Sequence, residues 1–274
     1  MITQSVITLA AATLMSSAAG AGPFSMSEPS GDDLVTVSLA LEHGTLRPGE
    51  TETLAVTFDI EPAWHIYWRN SGDTGLPPLV TLDLPDGVEA GAIQWPTPQW
   101  YEHGGLLDFI YERQVTLLIP LAVDESLNES TVAINVEADW LVCQEACLPG
   151  AGSASLSVVV GQPQSPNSEA AQRIAQARSS LPQPHENAKR AGVRHQWDGT
   201  TLVMHAPNAQ RLRFFPYAPQ RVPPNDTLRD GAIEGDRIRI EFDDRIRSHE
   251  QVAGVLEVQS ETGSTFYDVQ WPGP

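Results

Sequence analysis

Between Leu34 and Val160 the chain repeats short runs in which Val, Ile, Thr and aromatic residues alternate with polar ones, each run closed by Gly, Pro, Asp or Asn. Successive side chains of an extended chain point to opposite faces, so a period of two builds sheets with one buried face and is incompatible with a helical domain. The runs are Leu34 to Leu41, Glu52 to Ile60, Trp64 to Trp68, Leu79 to Leu84 and Glu89 to Trp95, then Phe109 to Tyr111, Gln114 to Leu121, Thr131 to Trp140 and Ala154 to Val160. About seven to nine strands in roughly 130 residues fit an immunoglobulin-like sandwich. After Val193 the alternation returns at Thr201 to His205, Arg211 to Phe215, Arg237 to Phe242, Gly254 to Val258 and Thr265 to Val269, which predicts a second, smaller sandwich.

The fold class expected is therefore all-β, two immunoglobulin-like β-sandwich domains joined by a linker with a short helix. Residues 30–161 form the first domain, 162–190 the linker and 191–274 the second domain. Gln162 to Asn187 carries four prolines and little apolar content, while Glu169 to Arg178 is an Ala/Gln/Arg stretch that Asn167 or Ser168 can cap as a helix.

Ahead of the first sandwich, the first 22 residues hold no charge, run apolar from Val6 to Met15 and turn small from Ser16 to Ala21. That predicts a secretory signal over residues 1–21, with Ala19-x-Ala21 as its cleavage site, although no Lys or Arg stands near Met1. No later stretch approaches the roughly 18 uncharged apolar residues of a membrane helix, so no direct membrane span is expected.

Charge removes two partner classes. A net charge of −19 without a basic cluster argues against nucleic acid and against anionic lipid. The imbalance is concentrated: Ser30 to Gly161 holds 20 acidic residues against Arg47, Arg69 and Arg113 alone. Hydrolase chemistry finds no support either, because no nucleophile elbow, H-E-x-x-H or phosphate loop is present.

The two cysteines, Cys143 and Cys147, follow the run Thr131 to Trp140. On a continuing strand they would stand about 13 Å apart, beyond the roughly 6.8 Å limit between the Cα atoms of a disulfide, so they pair only if Gln144 to Ala146 turn as a hairpin or a single helical turn. Three uses then compete. A stabilising bridge gains little here, since the loop-entropy estimate for a ring of about five residues is about 2 kcal/mol, against about 4.7 for a hundred-residue loop. A metal site would need a second ligand pair that C-x3-C alone does not supply, and none is expected. An exchanging pair suits a small ring at an exposed turn. With Glu137, Asp139 and Glu145 close and no Lys, Arg or His between Arg113 and Gly161, nothing local in sequence stabilises a thiolate, which favours a reductant over an oxidant.

Three groups of residues carry a resemblance to a known family: Trp64-His65-Ile66-Tyr67-Trp68-Arg69-Asn70-Ser71-Gly72-Asp73-Thr74-Gly75-Leu76-Pro77-Pro78, Trp95-Pro96, and Trp140-Leu141-Val142-Cys143 through Gly150. Together they resemble the periplasmic N-terminal domain of the thiol:disulfide interchange protein DsbD, especially its ScsB-like branch. Phe214-Phe215-Pro216-Tyr217 with Gly254-Val255-Leu256 is similar to the second domain of the ScsB-like proteins.

The resemblance implies a periplasmic immunoglobulin-like domain that receives electrons from a membrane-embedded donor of the DsbD/CcdA type and reduces periplasmic thioredoxin-fold proteins. It makes Cys143 and Cys147 the redox pair, with no cofactor; Cys147 forms the mixed disulfide and Cys143 resolves it. It also implies a cap loop, matched here by Trp100, Tyr101, Glu102, His103, Gly104, Gly105 and Leu106, in which His103 either assists proton transfer or is merely solvated. Tyr67 and Trp68 correspond to aromatics beside the pair or to plain core, Trp140 flanks it, and His65 is structural. Typical members continue into a membrane domain, whereas the sequence given ends at Trp271-Pro272-Gly273-Pro274, so the donor is expected on a separate protein. The rival reading is a non-catalytic binding module in which the cysteines pin a loop and Trp100 and Tyr101 are contacts.

Overall fold

In a computed structural model the described residues are 30–161, 168–217, 225–229, 233–234, 236–242 and 251–274. The expected signal segment lies outside them. The first sandwich comprises β1 (Val35–Leu41), β2 (Thr45–Leu46), β3 (Thr51–Ile60), β4 (His65–Gly72), β5 (Leu79–Asp83), β6 (Val88–Ala90), β7 (Gln99–His103), β8 (Leu106–Glu112), β9 (Gln114–Val123), β10 (Thr131–Cys143) and β11 (Cys147–Val160). One sheet runs β1-β3-β9-β6; the other runs β2-β11-β10-β4-β8-β7, with β5 also pairing β10.

Burial follows the period of two. Along β10, Val132, Ile134, Val136, Ala138, Trp140 and Val142 are buried, while Ala133, Glu137 and Asp139 face out. These side chains meet Leu54, Val56 and Phe58 of β3 and Leu117 and Ile119 of β9 in one core. Each such side chain removed from water contributes about 1.5–3 kcal/mol, which is what holds the two sheets face to face.

Two helices, not one, follow the first sandwich: α1 (Ser168–Ser179) and α2 (His185–Arg190). The expected linker is packed on its neighbours. Ile174 and Ala177 of α1 bury against Ala55 and Leu118 of the first sandwich, and Arg178 pairs with Glu42 at 2.6 Å. Further on, Gln183 hydrogen-bonds on both sides to the last strand, through Phe266 and Asp268.

The second sandwich contains β12 (Arg194–Asp198), β13 (Thr201–His205), β14 (Arg211–Pro216), α3 (Asn225–Arg229), β15 (Ile233–Glu234), β16 (Arg237–Glu241), β17 (Gln251–Ser260) and β18 (Gly263–Pro272). Its sheets run β12-β13-β16-β15 and β14-β17-β18. The two sandwiches share aromatic core: Phe215 of β14 lies 5.2 Å from Phe109, 5.4 Å from Trp100 and 6.3 Å from Trp68, centroid to centroid. Asn70 donates its side-chain amide to the Pro216 carbonyl at 2.8 Å across the same junction.

Several expected strand ends move. Glu89 to Trp95 is a strand only as far as Ala90, after which Gln94 makes an isolated bridge to Leu118. Phe109 to Tyr111 is the middle of the longer β8, and β10 runs three residues beyond Trp140 to Cys143.

Candidate functional site

The hairpin of β10 and β11 brings the cysteines together. Its ladder runs from Thr131 opposite Val159 to Cys143 opposite Cys147, and Gln144, Glu145 and Ala146 make the turn. The chain therefore turns where Cys143 ends one strand and Cys147 begins the next, and the two are disulfide-bonded with Cα atoms 4.1 Å apart. The partners differ in access: Cys143 is 3 % exposed, whereas Cys147 stands open to solvent.

Cys143 also pairs in register with His65 at the start of β4, which fixes the face that β4 turns toward the sulfurs. Tyr67, two residues on, shares that face, and Ile66 and Trp68 point into the core instead. The Tyr67 hydroxyl donates to Cys143 Sγ at 3.1 Å and lies 3.9 Å from Cys147 Sγ. Ile110 of β8 completes the buried cluster, with Tyr101 and Leu141 packed against it. Burial raises the Tyr67 pKa above its ordinary 10.0, opposed by the neighbouring Thr74 hydroxyl. The His65 ring lies 5.5 Å from that of Tyr67 and 5.1 Å from that of Tyr101. Burial lowers its pKa from 6.5, with Asp108 and Glu112 pulling the other way.

Behind Tyr67 lies a polar chain. The β4–β8 register shifts between Tyr67 and Gly72, and this irregularity turns residues 73–75 back over β8. Thr74 Oγ1 then stands 3.4 Å from the Tyr67 hydroxyl and donates to Asp108 Oδ2 at 2.5 Å, while its backbone N–H donates to Oδ1 at 2.8 Å. Asp108 is wholly buried, and its Oδ2 also lies 3.0 Å from His103 Nε2. The carboxylate thus exchanges its lost hydration for three polar contacts. His103 is 41 % exposed, so this chain reaches solvent.

Of the residues expected near the pair, the structure brings Tyr67, Tyr101 and His103 to its face. Trp68, Trp100, Glu102 and Trp140 lie elsewhere, for one reason: residues of odd and even number on one strand face opposite sides. Trp68 is buried 6.1 Å from Phe109, and Trp100 lies 5.7 Å from Phe109 beneath the Arg213 guanidinium. Glu102 accepts from Trp100 Nε1 at 2.6 Å on that same side. Trp140 is core, edge-on to Phe58, with its indole N–H donating to the Gly31 carbonyl at 3.1 Å.

The expected cap loop is a β-hairpin. Trp100 to His103 belong to β7, Leu106 opens β8, and Gly104 and Gly105 form the two-residue turn with φ of 56° and 84°. Both glycines adopt the left-handed conformation that a two-residue turn needs. The reading from sequence missed Thr74 and Asp108. The signal available was a lone carboxylate within the apolar run Leu106-Leu107-Asp108-Phe109-Ile110.

Residues 32–158 match the family described as thiol:disulfide interchange protein DsbD, N-terminal. The first sandwich thus resembles the DsbD N-terminal domain over nearly its whole length. Among solved structures, the N-terminal periplasmic domain of ScsB from Proteus mirabilis is similar at 15 % identity and a TM-score of 0.59, over 89 % of this chain and 95 % of that one. That likeness spans both sandwiches and is one of fold. The reduced N-terminal domain of DsbD from Neisseria meningitidis matches at 12 % identity and a TM-score of 0.31, over 49 % of this chain and 91 % of that one. No curated protein matches the chain. The family and the bonded cysteine pair fit a thiol:disulfide interchange module.

Among the described residues one group, Glu42, His43 and Glu52, places potential metal-ligating atoms within 4.8 Å of one another. Those groups are already engaged, Glu52 with His43 and the Thr53 backbone and Glu42 with Arg178. No described helix is long and apolar enough to cross a membrane.

Proposed function

We propose that the chain is a periplasmic thiol:disulfide exchange module in which Cys143 and Cys147 open and close, carrying electrons from a membrane-embedded donor to thioredoxin-fold proteins. One observation carries the reading: the two sulfurs sit at a hairpin tip, one exposed and one held beneath a tyrosine hydroxyl. An attacking thiolate needs access to one sulfur of the bond and a leaving group that the protein can stabilise. Cys147 offers the first and Cys143, with Tyr67, the second.

Each transfer is two displacements at sulfur. In the direction that reduces a partner, the Cys147 thiolate attacks the partner disulfide, breaks it and forms a mixed disulfide. Cys143 then attacks Cys147 Sγ, which restores the intramolecular bond and releases the partner as a dithiol. Tyr67, Tyr101 and His103 surround this chemistry. Trp68, Trp100, Glu102 and Trp140 support the walls.

The test is covalent trapping with a thioredoxin-fold protein offered in its oxidised form. Cys143→Ser should accumulate a mixed disulfide on a non-reducing gel and Cys147→Ser should not. If neither variant traps such a protein, the exchange reading fails.

A further inference from the structure

Resting on the exchange reading, we propose that Tyr67, Thr74, Asp108 and His103 form a proton path linking the buried Cys143 sulfur to solvent, with His103 as its outer end. When an incoming thiolate attacks Cys147 Sγ, the Cys143–Cys147 bond breaks and its electron pair stays on Cys143 as a thiolate. That sulfur is 3 % exposed, so water does not supply its proton readily. The Tyr67 hydroxyl, 3.1 Å away, is the donor within reach. Its own proton is replaced through the Thr74 hydroxyl from the pair Asp108–His103, and His103 takes one from solvent. The balance is one proton drawn inward for each disulfide opened, and one expelled along the same route when Cys143 is oxidised again.

Two features distinguish this chain of groups from ordinary core satisfaction. Asp108 sets a wholly buried carboxylate behind the tyrosine that touches an exchangeable bond, and a buried charge is costly to the fold. Its remaining partner is a half-exposed imidazole, the side chain whose ordinary pKa spans neutral pH. Tyr67 touches the reacting sulfur; Thr74, Asp108 and His103 act through it.

Other titratable groups frame the path. His65 of β4 packs against Tyr67 and Tyr101, Glu112 of β8 acts electrostatically on His65, and Tyr101 lies 5.1 Å from His103. Glu145 is exposed in the cysteine turn. Glu102 is turned away toward Trp100, and Arg229 of α3 donates to the Gly105 carbonyl at the hairpin tip.

The experiment is stopped-flow reduction of the disulfide in the full chain by excess dithiothreitol, with rates expressed per dithiothreitol thiolate across about pH 5.5 to 8, the range in which imidazole titrates. The wild-type rate should fall as pH rises across this range. His103→Gln should be slower by about tenfold at the acid end of the range, a modest share of what a positioned acid supplies. Added imidazole should restore it. Asp108→Asn should show a similar loss that imidazole does not restore. Equal rates for His103→Gln and wild type at every pH, or a slow variant that imidazole leaves slow, would overturn the path. Because His103 lies at a partly exposed hairpin end, that variant should fold even if Asp108→Asn does not. A wild-type disulfide that resists dithiothreitol altogether would instead sink the exchange reading itself.

Discussion

Tyr67 donates its hydroxyl to Cys143 Sγ at 3.1 Å, while Trp68, the next residue, points into the core on the opposite side of the same strand. The hydrogen bond gains strength when Cys143 becomes a thiolate, because bonds to charged acceptors contribute about 1.5–3 kcal/mol. Tyr67→Phe should therefore raise the Cys143 thiol pKa, because the thiolate loses more than the thiol does. Thiolate absorbance of the Cys147→Ser variant against pH measures this directly. Identical titrations with and without the hydroxyl would remove Tyr67 from the chemistry.

Gly75 holds Tyr67 in place from the other side. Its φ is +69°, and a Cβ there would lie 2.1 Å from the Tyr67 ring. Gly75→Ala therefore combines a left-handed backbone with overpacking, and should cost about 1–3 kcal/mol in urea unfolding. The displaced ring should also carry the thiol pKa toward that of Tyr67→Phe. A variant of wild-type stability and pKa would show that the ring has room to move.

The strand pattern and the cysteine turn were legible in the sequence, because both rest on local chemistry: period-two burial, and a five-residue span that closes only by bending. Which of two adjacent aromatics faces the sulfurs was not. Choosing between Tyr67 and Trp68, or Trp100 and Tyr101, needs the face of the strand, and that is set by a long-range pairing, His65 opposite Cys143. The polar chain was hidden for the same reason, since Thr74 and Asp108 meet only through the irregular β4–β8 register. The hairpin at Gly104-Gly105 was readable: two glycines between alternating runs are a turn signal.

The two sandwiches should unfold together. Phe215 belongs to the second but is 1 % exposed among Trp68, Trp100 and Phe109 of the first. Phe215→Ala should destabilise the chain by about 3–5 kcal/mol, the usual range for emptying a buried aromatic site. Calorimetry of the wild type should give one transition, and the variant should lower it as a whole. Two separate transitions, with only one moved by the substitution, would contradict a shared core.

Acid should weaken the fold through His65. Burial holds its folded pKa below the ordinary 6.5, so between that lowered value and 6.5 the unfolded chain binds more protons than the folded one. Stability is then fully present above pH 6.5 and is lost as pH falls through this window. His195, whose pKa burial also lowers, contributes with the same sign. His65→Gln should therefore flatten the fall in urea midpoint below about pH 6.5 without abolishing it. An unchanged slope would mean that Asp108 and Glu112 offset burial completely.

The disulfide should matter little to stability. The β10–β11 hairpin is already held by a ladder running from Thr131 opposite Val159 to its tip, and the bond closes only the last turn of that ladder. Ring closure over about five residues restricts the unfolded chain by about 2 kcal/mol at most. Reduction should thus shift the urea midpoint by an amount equivalent to less than about 2 kcal/mol and leave the unfolding slope unchanged, since the same surface is exposed. A bond that serves mainly as a clip behaves otherwise, because small domains that depend on one lose about 2–5 kcal/mol and often their fold. Paired urea curves with and without reductant decide the matter: a large loss on reduction would assign the cysteines to holding the hairpin, and a small one leaves them free to open and close.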